Sequence, residues 1–186
     1  MTILADFLAD QGFNVAPPPT EPPDDGEYPY TERQRAWLHE LETTDLPQAR
    51  GCLRRPDGFC CLGLYLNWRD PDQWADEPDS RGRFVWGGKS VSRMGMALPD
   101  EERIGLGLRG AGGPFLFENL SPADRELMEA EYKEHHRSAP APIPDQWALA
   151  NLNDTGWPFA KIAAFIRRNP AAVFMNTDPK PEKAKS

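Results

Sequence analysis

Apolar residues recur at helical spacing near the start of the main part of the chain. Trp37, Leu38 and Leu41 share one face of a helix. Thr31 and Gln34 have the form of a capping box, in which each side chain reaches the backbone amide of the other residue. We therefore predict a helix from Thr31 to about position 43.

Two further long helices and one short helix are predicted later in the chain. The sequence Ser121-Pro-Ala-Asp124 combines a cap with a first-turn proline and predicts a helix that ends near position 136. Between Pro158 and Pro170, apolar residues recur at i, i+3, i+4 and i+7, which indicates another helix. Leu98-Pro99 is followed by three acids, as is typical of the first turn of a helix, and the helix predicted here is short.

A hairpin and a buried element are predicted between these helices. In the stretch from Gly51 to Phe59, the residues Pro56-Asp57-Gly58 suit a tight turn, because proline presets φ and glycine tolerates a positive φ. The stretch from Cys60 to Trp68 is apolar almost all round, which favours a buried helix, with a central strand as the alternative. Arg83 to Trp86 is predicted to form a short strand. Together these elements predict a helix-dominated α+β single domain with a small β-hairpin or sheet.

The composition divides the chain into three parts. Residues 1–30 contain six acids, six prolines and no lysine or arginine, and are interpreted as an acidic, proline-rich N-terminal extension. Residues 31–175 are predicted to form one globular domain, and residues 176–186 a disordered, charged tail. Within the extension, apolar spacing predicts a short docking helix over residues 2–12, with a weakly packed leader as the alternative. The apolar residues of this segment are Ile3, Leu4, Phe7 and Leu8.

The charge distribution and the hydropathy exclude some classes of function. Of the net charge of −8, the extension accounts for −6, so only −2 remains for the rest of the chain. A nearly neutral domain argues against broad nucleic-acid binding, although it leaves room for a local basic pocket. No apolar run is long enough for a membrane span, and the first residues lack the basic start of a secretory signal. We therefore expect a cytoplasmic protein whose cysteines remain thiols, with a disulfide between Cys52 and Cys60 as the alternative.

The cysteines raise the question of a metal site or a nucleophile. They are Cys52, Cys60 and Cys61. Adjacent cysteines cannot easily point at one tetrahedral metal ion, and no paired knuckle is present, so we predict no metal site. No phosphate-binding loop motif is present either, and we predict no cofactor. If the protein is an enzyme, Cys60 or Cys61 is the candidate nucleophile at the start of a helix, provided that a histidine comes within reach. Packing in the core is the alternative.

Arginines and an Asn-Asp pair are the candidate ligand-binding residues. Arg50, Arg54 and Arg55 flank the predicted turn, and guanidinium groups on a compact hairpin can form bidentate pairs with phosphate or carboxylate. Pairing with an acid of the domain is the alternative. Asn153 and Asp154 are predicted to stand immediately before a helix, where they would either bind an anion at its free amides or simply cap it.

The order of several motifs resembles a known group of proteins. The motifs are Gly51-Cys-Leu-Arg54, Asp57-Gly-Phe-Cys-Cys-Leu-Gly63 and Leu152-Asn-Asp-Thr-Gly156 followed by Phe159. In patches from Arg33 to Arg168, the chain resembles a family of small, uncharacterised proteins of bacteriophages and bacteria. The resemblance implies an accessory role in the host cytoplasm, if the protein is phage-encoded, and carries over no catalytic residue. The acidic extension departs from the family pattern.

The leading hypothesis is a non-enzymatic, phage-type accessory binding protein. Its ligand would be a small anionic, nucleotide-like molecule or a host protein, captured to counter a host defence. The alternatives are a cysteine-dependent hydrolase and a virion-associated or host-protein-mimic component.

Overall fold

A computed structural model describes residues 28–87, 97–135 and 147–175, which form seven helices and one two-stranded antiparallel sheet. The helix-dominated α+β fold is therefore confirmed. None of the helices in these ranges is long and apolar enough to cross a membrane. The docking helix predicted over residues 2–12 and the tail predicted over residues 176–186 lie outside the described residues. The elements are α1 (Glu32–Thr43), β1 (Arg54–Arg55), β2 (Gly58–Phe59), α2 (Cys61–Arg69), α3 (Asp100–Leu106), α4 (Pro122–His135), α5 (Leu149–Asp154), α6 (Phe159–Arg168) and α7 (Pro170–Val173).

Helix α1 begins as the sequence predicts. The hydroxyl of Thr31 accepts a 3.2 Å hydrogen bond from the amide of Gln34, and the side chain of Gln34 accepts a 2.9 Å hydrogen bond from the amide of Thr31. The capping box is thus complete. The apolar face of α1 packs against α2 and α6, and the indole nitrogen of Trp37 donates to the carbonyl of Cys61 at 2.9 Å. This bond ties α1 to the start of α2.

The hairpin places Arg54 opposite Phe59. Glycine is required at position 58, because a β-carbon on Gly58 would lie 2.2 Å from the carbonyl oxygen of Pro47. After β2 the chain enters α2 directly, so the helical interpretation of residues 60–68 is confirmed and the strand alternative is wrong.

Buried apolar side chains from all these helices form one continuous cluster. The ring of Trp37 lies 6.3 Å from that of Tyr65 and 6.4 Å from that of Phe174, which joins α1, α2 and the segment after α7. On the other side of the cluster, Phe165 packs 5.1 Å from Phe115. The core therefore brings distant parts of the chain against the hairpin and α2.

The strand predicted over Arg83–Trp86 is wrong. Only a single antiparallel bridge forms here, between Trp74 and Trp86. The physical reason is a local turn: the backbone amide of Arg83 donates to the carboxylate of Asp79 at 2.9 Å, and its carbonyl accepts from the amide of Asp79 at 2.8 Å, so neither group is available to a neighbouring strand. This turn nevertheless brings Phe84 beside the hairpin, where its amide donates to the carbonyl of Arg54 at 3.1 Å.

Candidate functional site

The two segments that contain the predicted ligand-binding residues, the hairpin segment and the Asn153-Asp154 pair, lie side by side. The amide of Gly51 donates to the carboxylate of Asp154 at 2.8 Å, and the side-chain amide of Asn153 donates to the carbonyl of Ala49 at 2.8 Å. Asn153 and Asp154 are the last two residues of α5, so the prediction that they stand before a helix is wrong. They therefore lie at the C-terminal end of α5, where a helix presents carbonyl groups and not free amides.

Asn153 has a structural role that explains its complete burial. Its side-chain oxygen accepts hydrogen bonds from the amide of Cys61 at 3.1 Å and from the side chain of Gln48 at 2.8 Å. The amide of Cys61 belongs to the first turn of α2 and has no partner within that helix. Asn153 therefore caps α2 from a distant part of the chain. Capping is the alternative role predicted for this residue, but the capped helix is α2 and not the helix that follows Asn153 in the sequence.

Arg50 and Arg55 brace the loop before the hairpin. The guanidinium of Arg55 donates to the carbonyl of Arg50 at 3.1 Å. The guanidinium of Arg50 lies against Gly156, where an added β-carbon would come within 2.5 Å of it. The carboxylate of Asp154 lies in the same region and would repel an anion. This side of the hairpin is therefore better suited to holding the loop than to binding an anionic ligand.

Arg54 has entirely different surroundings. Its guanidinium carbon lies 4.3 Å from the ring centre of Phe84, 5.3 Å from that of Trp74 and 5.4 Å from that of Phe59. Burial lowers the pKa of Arg54, but arginine titrates so far above neutrality that the group remains charged. Within the described residues, no acceptor or carboxylate bonds to this guanidinium. The half-buried charge is thus held by aromatic rings alone.

A second donor without a partner lies beside Arg54. The indole nitrogen of Trp74 is buried and has no hydrogen-bond acceptor among the described residues, and Trp74 as a whole is only 6% exposed. Buried donors without a partner are uncommon and costly. Arg54 and Trp74 donate hydrogen bonds and accept none, so a group that satisfies both must supply acceptors. Phosphate and carboxylate oxygens are such acceptors, and they also complement the positive charge.

Sequence reasoning identified Arg54 but missed the aromatic residues around it. Trp74 lies in a stretch rich in Asp and Pro, for which no helix or strand is predicted, and Phe84 lies in the segment predicted as a strand. The one signal available was the presence of large aromatic side chains inside an otherwise polar loop. Nothing in that pattern indicates which arginine the rings would contact.

The cysteines are packed in the core. Cys60 is the N-cap of α2, and its sulfur accepts a 3.3 Å hydrogen bond from the amide of Gly63. The neighbouring Cys61 thiol is the main cause that lowers the pKa of Cys60, while the Cys61 thiol itself donates to the carbonyl of Leu149 at 3.7 Å. Cys60 is nevertheless only 5% exposed and Cys61 is fully buried, while His39 lies exposed on α1. Burial raises the pKa of Cys52.

No metal site is formed by the part of the chain that the structure describes. In residues 28–87, 97–135 and 147–175, no group of three or more histidine, cysteine or acidic side chains is arranged to hold a metal ion. All three cysteines are free thiols.

A cavity of about 510 Å³ opens at the start of α3, and none of the predicted site residues lines it. Its walls include Trp86, Gln73 and the acidic first turn of α3, among them Glu102. The phenol of Tyr65 donates a 2.7 Å hydrogen bond to Glu102, and the carboxylate raises the pKa of that phenol in addition to the larger effect of burial. The cavity thus has an acidic wall, in contrast to the Arg54 site.

Comparison of the chain with protein-family models, with curated proteins and with solved structures finds no match. The resemblance to phage and bacterial proteins therefore stays a prediction. The geometry of Arg54 and Trp74 is accordingly the main guide to function.

Proposed function

We propose that the protein is a non-enzymatic binding protein whose ligand is a small anion, bound by the guanidinium of Arg54 and the indole nitrogen of Trp74. The observation that carries this proposal is that both donors are at least partly buried and lack an acceptor among the described residues. A phosphate group would accept from both and would neutralise the charge of Arg54. The proposed ligand class is a nucleotide-like phosphate compound.

The aromatic rings support this assignment by restricting how a ligand approaches. Phe84 and Trp74 lie over the guanidinium at cation–π distance. Guanidinium N–H groups lie in one plane and form paired hydrogen bonds with an oxyanion along the edge of that plane. Rings packed over the faces of the guanidinium would leave such an edge to the ligand. Arg54 is therefore preorganised, since packing restrains the side chain before any ligand binds.

The test is a binding measurement on the full chain with inorganic phosphate and adenosine monophosphate as probes. We expect saturable binding by calorimetry. Arg54→Gln removes the charged donor and should weaken binding by about ten- to a hundredfold, because a hydrogen bond to a charged group contributes roughly 1.5–3 kcal/mol. Trp74→Phe keeps an aromatic ring but removes the N–H together with the five-membered ring of the indole, and because the charged donor of Arg54 remains, a smaller loss is expected.

Arg50→Gln and Arg55→Gln are the matched controls. Both remove an arginine charge from the same hairpin segment, but neither residue belongs to the aromatic cluster around Arg54, so both variants should bind the probes as the wild type does. Equal losses in all three arginine variants would show that only overall charge matters. Binding that Arg54→Gln leaves unchanged, or absence of binding to either probe, would overturn the proposed site.

The cellular role that we propose with this site is that of a phage-type accessory protein that captures a nucleotide-like signal to counter a host defence. The resemblance to phage and bacterial proteins supports that role. The hydrogen-bond donors of Arg54 and Trp74 support the ligand class. Mass spectrometry of the protein purified natively from expressing cells tests both at once. A phosphate-bearing small molecule would support the proposal, and a co-purified host protein in its place would favour protein capture.

A further inference from the structure

A second surface lies close to the point where the described chain begins, at the junction of α1, α2 and α3. Arg33 in α1 and Arg69 at the end of α2 each place a guanidinium nitrogen 3.7 Å from the same carboxylate oxygen of Glu102. Glu102 is buried, whereas the side chains of Arg33 and Arg69 are 38% and 42% exposed. Both guanidinium groups thus face the same buried carboxylate, and both are partly exposed at the surface.

Trp68 adds apolar area to this surface. It precedes Arg69 in α2, is 38% exposed, and has its ring 6.1 Å from that of Tyr65, the residue that donates to Glu102. Most large apolar side chains in the described ranges are buried, so an exposed tryptophan next to Arg69 in the sequence is unusual for this protein. We refer to Arg33, Trp68 and Arg69 as the Trp68 surface.

The chain itself supplies a segment that complements this surface. Residues 1–27 carry six acids and no basic residue, and they lead through Tyr28 into the first turn of α1, where Arg33 lies. The apolar residues of the segment 2–12 fall on one helical face, and Asp6 and Asp10 lie one turn apart along an edge of that face. Apolar area and negative charge are the two features that the Trp68 surface requires of an occupant.

The connection is long enough for this contact to form within one molecule. An extended proline-rich segment rises about 3.1 Å per residue, so residues 13–27 can span about 45 Å. A tethered segment of this length also has a high effective concentration at the surface, on the order of millimolar. Weak contacts would therefore suffice for docking.

We propose that residues 2–12 dock as a helix on the Trp68 surface of the same molecule, with their apolar face on Trp68 and with Asp6 and Asp10 towards Arg33 and Arg69. The acidic extension then covers an exposed tryptophan of its own domain, and it is not primarily a binding segment for another protein. This inference does not depend on the Arg54 site.

The experiment uses the full chain with Ala9→Cys, which places a spin label on the side of the predicted helix away from its apolar face. The native thiols are buried, so the label reacts at position 9. The signal observed is the indole N–H resonance of Trp68 in NMR spectra, assigned with Trp68→Phe. We expect its intensity to be at least halved by the label, and to recover when Phe7→Asp is added.

Three controls determine the outcome. A label at Ala184→Cys, in the opposite tail, should leave the Trp68 signal at full intensity. High salt should weaken the effect of the Ala9→Cys label, because exposed charges are screened. In a mixture of isotope-labelled, unmodified chains and unlabelled, spin-labelled chains, the signal should stay sharp. Loss of intensity in that mixture would show docking on a second copy, and a sharp Trp68 signal in the labelled chain, or no recovery with Phe7→Asp, would equally overturn the proposal.

Discussion

The side-chain nitrogen of Asn153 donates a 2.8 Å hydrogen bond to the carbonyl of Ala49, a residue 104 positions earlier in the chain. Its side-chain oxygen accepts from the amide of Cys61 at 3.1 Å. One buried amide thus joins the end of α5, the loop that leads into the hairpin, and the first turn of α2. Asn153, Ala49 and Cys61 are all buried, so these backbone groups are shielded from bulk water if the side chain of Asn153 is removed.

Asn153→Ala should therefore be among the most destabilising single changes in the chain. It leaves a buried amide and a buried carbonyl without partners, and each such group costs about 1–3 kcal/mol. We expect a loss of about 2–4 kcal/mol in the free energy of unfolding, measured by urea titration. Asn119→Ala is the control, since Asn119 is exposed and its contact with Ala171 is long, at 3.4 Å. A similar small effect for both variants would contradict the capping role.

Local sequence signals were sufficient for the longer helices. Helix α1 has its capping box and α4 has its cap and first-turn proline within four residues, so each start is encoded where it occurs. Helix α5 was missed because it has only six residues, too few for an apolar period, and ends in Asn153 and Asp154, which by themselves favour turns. Its helical form depends on contacts with α2 and α6.

The candidate site was predictable only in part, for a related reason. The sequence indicates an arginine-rich hairpin, but Arg54 and Arg55 are neighbours of equal chemistry. What distinguishes them is the position of Trp74 and Phe84, which the turn at Asp79 brings beside Arg54. Contacts between residues this far apart in sequence have no local signal.

Gly63 is predicted to be irreplaceable, although it lies inside a helix where alanine is normally favoured. A β-carbon at this position would lie 1.7 Å from the carbonyl oxygen of Leu53, and backbone atoms of the hairpin cannot move aside easily. We expect Gly63→Ala to destabilise the protein by more than about 3 kcal/mol or to prevent folding, because overpacking that moves backbone costs this much or more. Circular dichroism and thermal unfolding measure the effect.

Gly105→Ala in α3 is the matched comparison. There the added β-carbon would meet only the end of the Arg33 side chain, at 2.1 Å, which is flexible and partly exposed. Alanine gains about 1 kcal/mol of helix propensity over glycine, so the net change should be small. If the two variants behaved alike, close backbone contact would not be the reason for Gly63.

The three thiols should be unreactive in the native protein. Cys52, Cys60 and Cys61 are 4%, 5% and 0% exposed, and reagents need access to the sulfur as well as thiolate character. We expect iodoacetamide to modify none of them at neutral pH and all of them after unfolding in urea, as followed by mass spectrometry. A Cys60 thiol that reacted rapidly in the native state would instead favour the cysteine-dependent hydrolase, since Cys60 is the one with a lowered pKa.

Asp124 joins the start of α4 to the end of α6. The guanidinium of Arg168 donates to both of its carboxylate oxygens, at 2.7 Å and 3.2 Å, and the side chain of Asn169 donates at 2.8 Å. Burial alone would raise the pKa of Asp124, but the hydrogen bonds from Arg168, Asn169 and Ser121 outweigh it and hold the pKa below its usual range. The folded state therefore binds this proton more weakly than the unfolded chain does.

The contribution of Asp124 should accordingly disappear in acid. A carboxyl whose pKa is depressed in the folded state stabilises the protein fully above its unfolded pKa, near 3.9, and loses that contribution as the pH falls through the lower folded value. Asp124→Asn should therefore be less stable than the wild type by about 1–3 kcal/mol at pH 7, and urea titrations should show this difference shrinking below about pH 4. Asp100→Asn, at an exposed carboxylate, should differ little from the wild type at either pH. If the difference between Asp124→Asn and the wild type were the same in acid as at neutral pH, the ionised carboxylate would not be what holds α4 and α6 together.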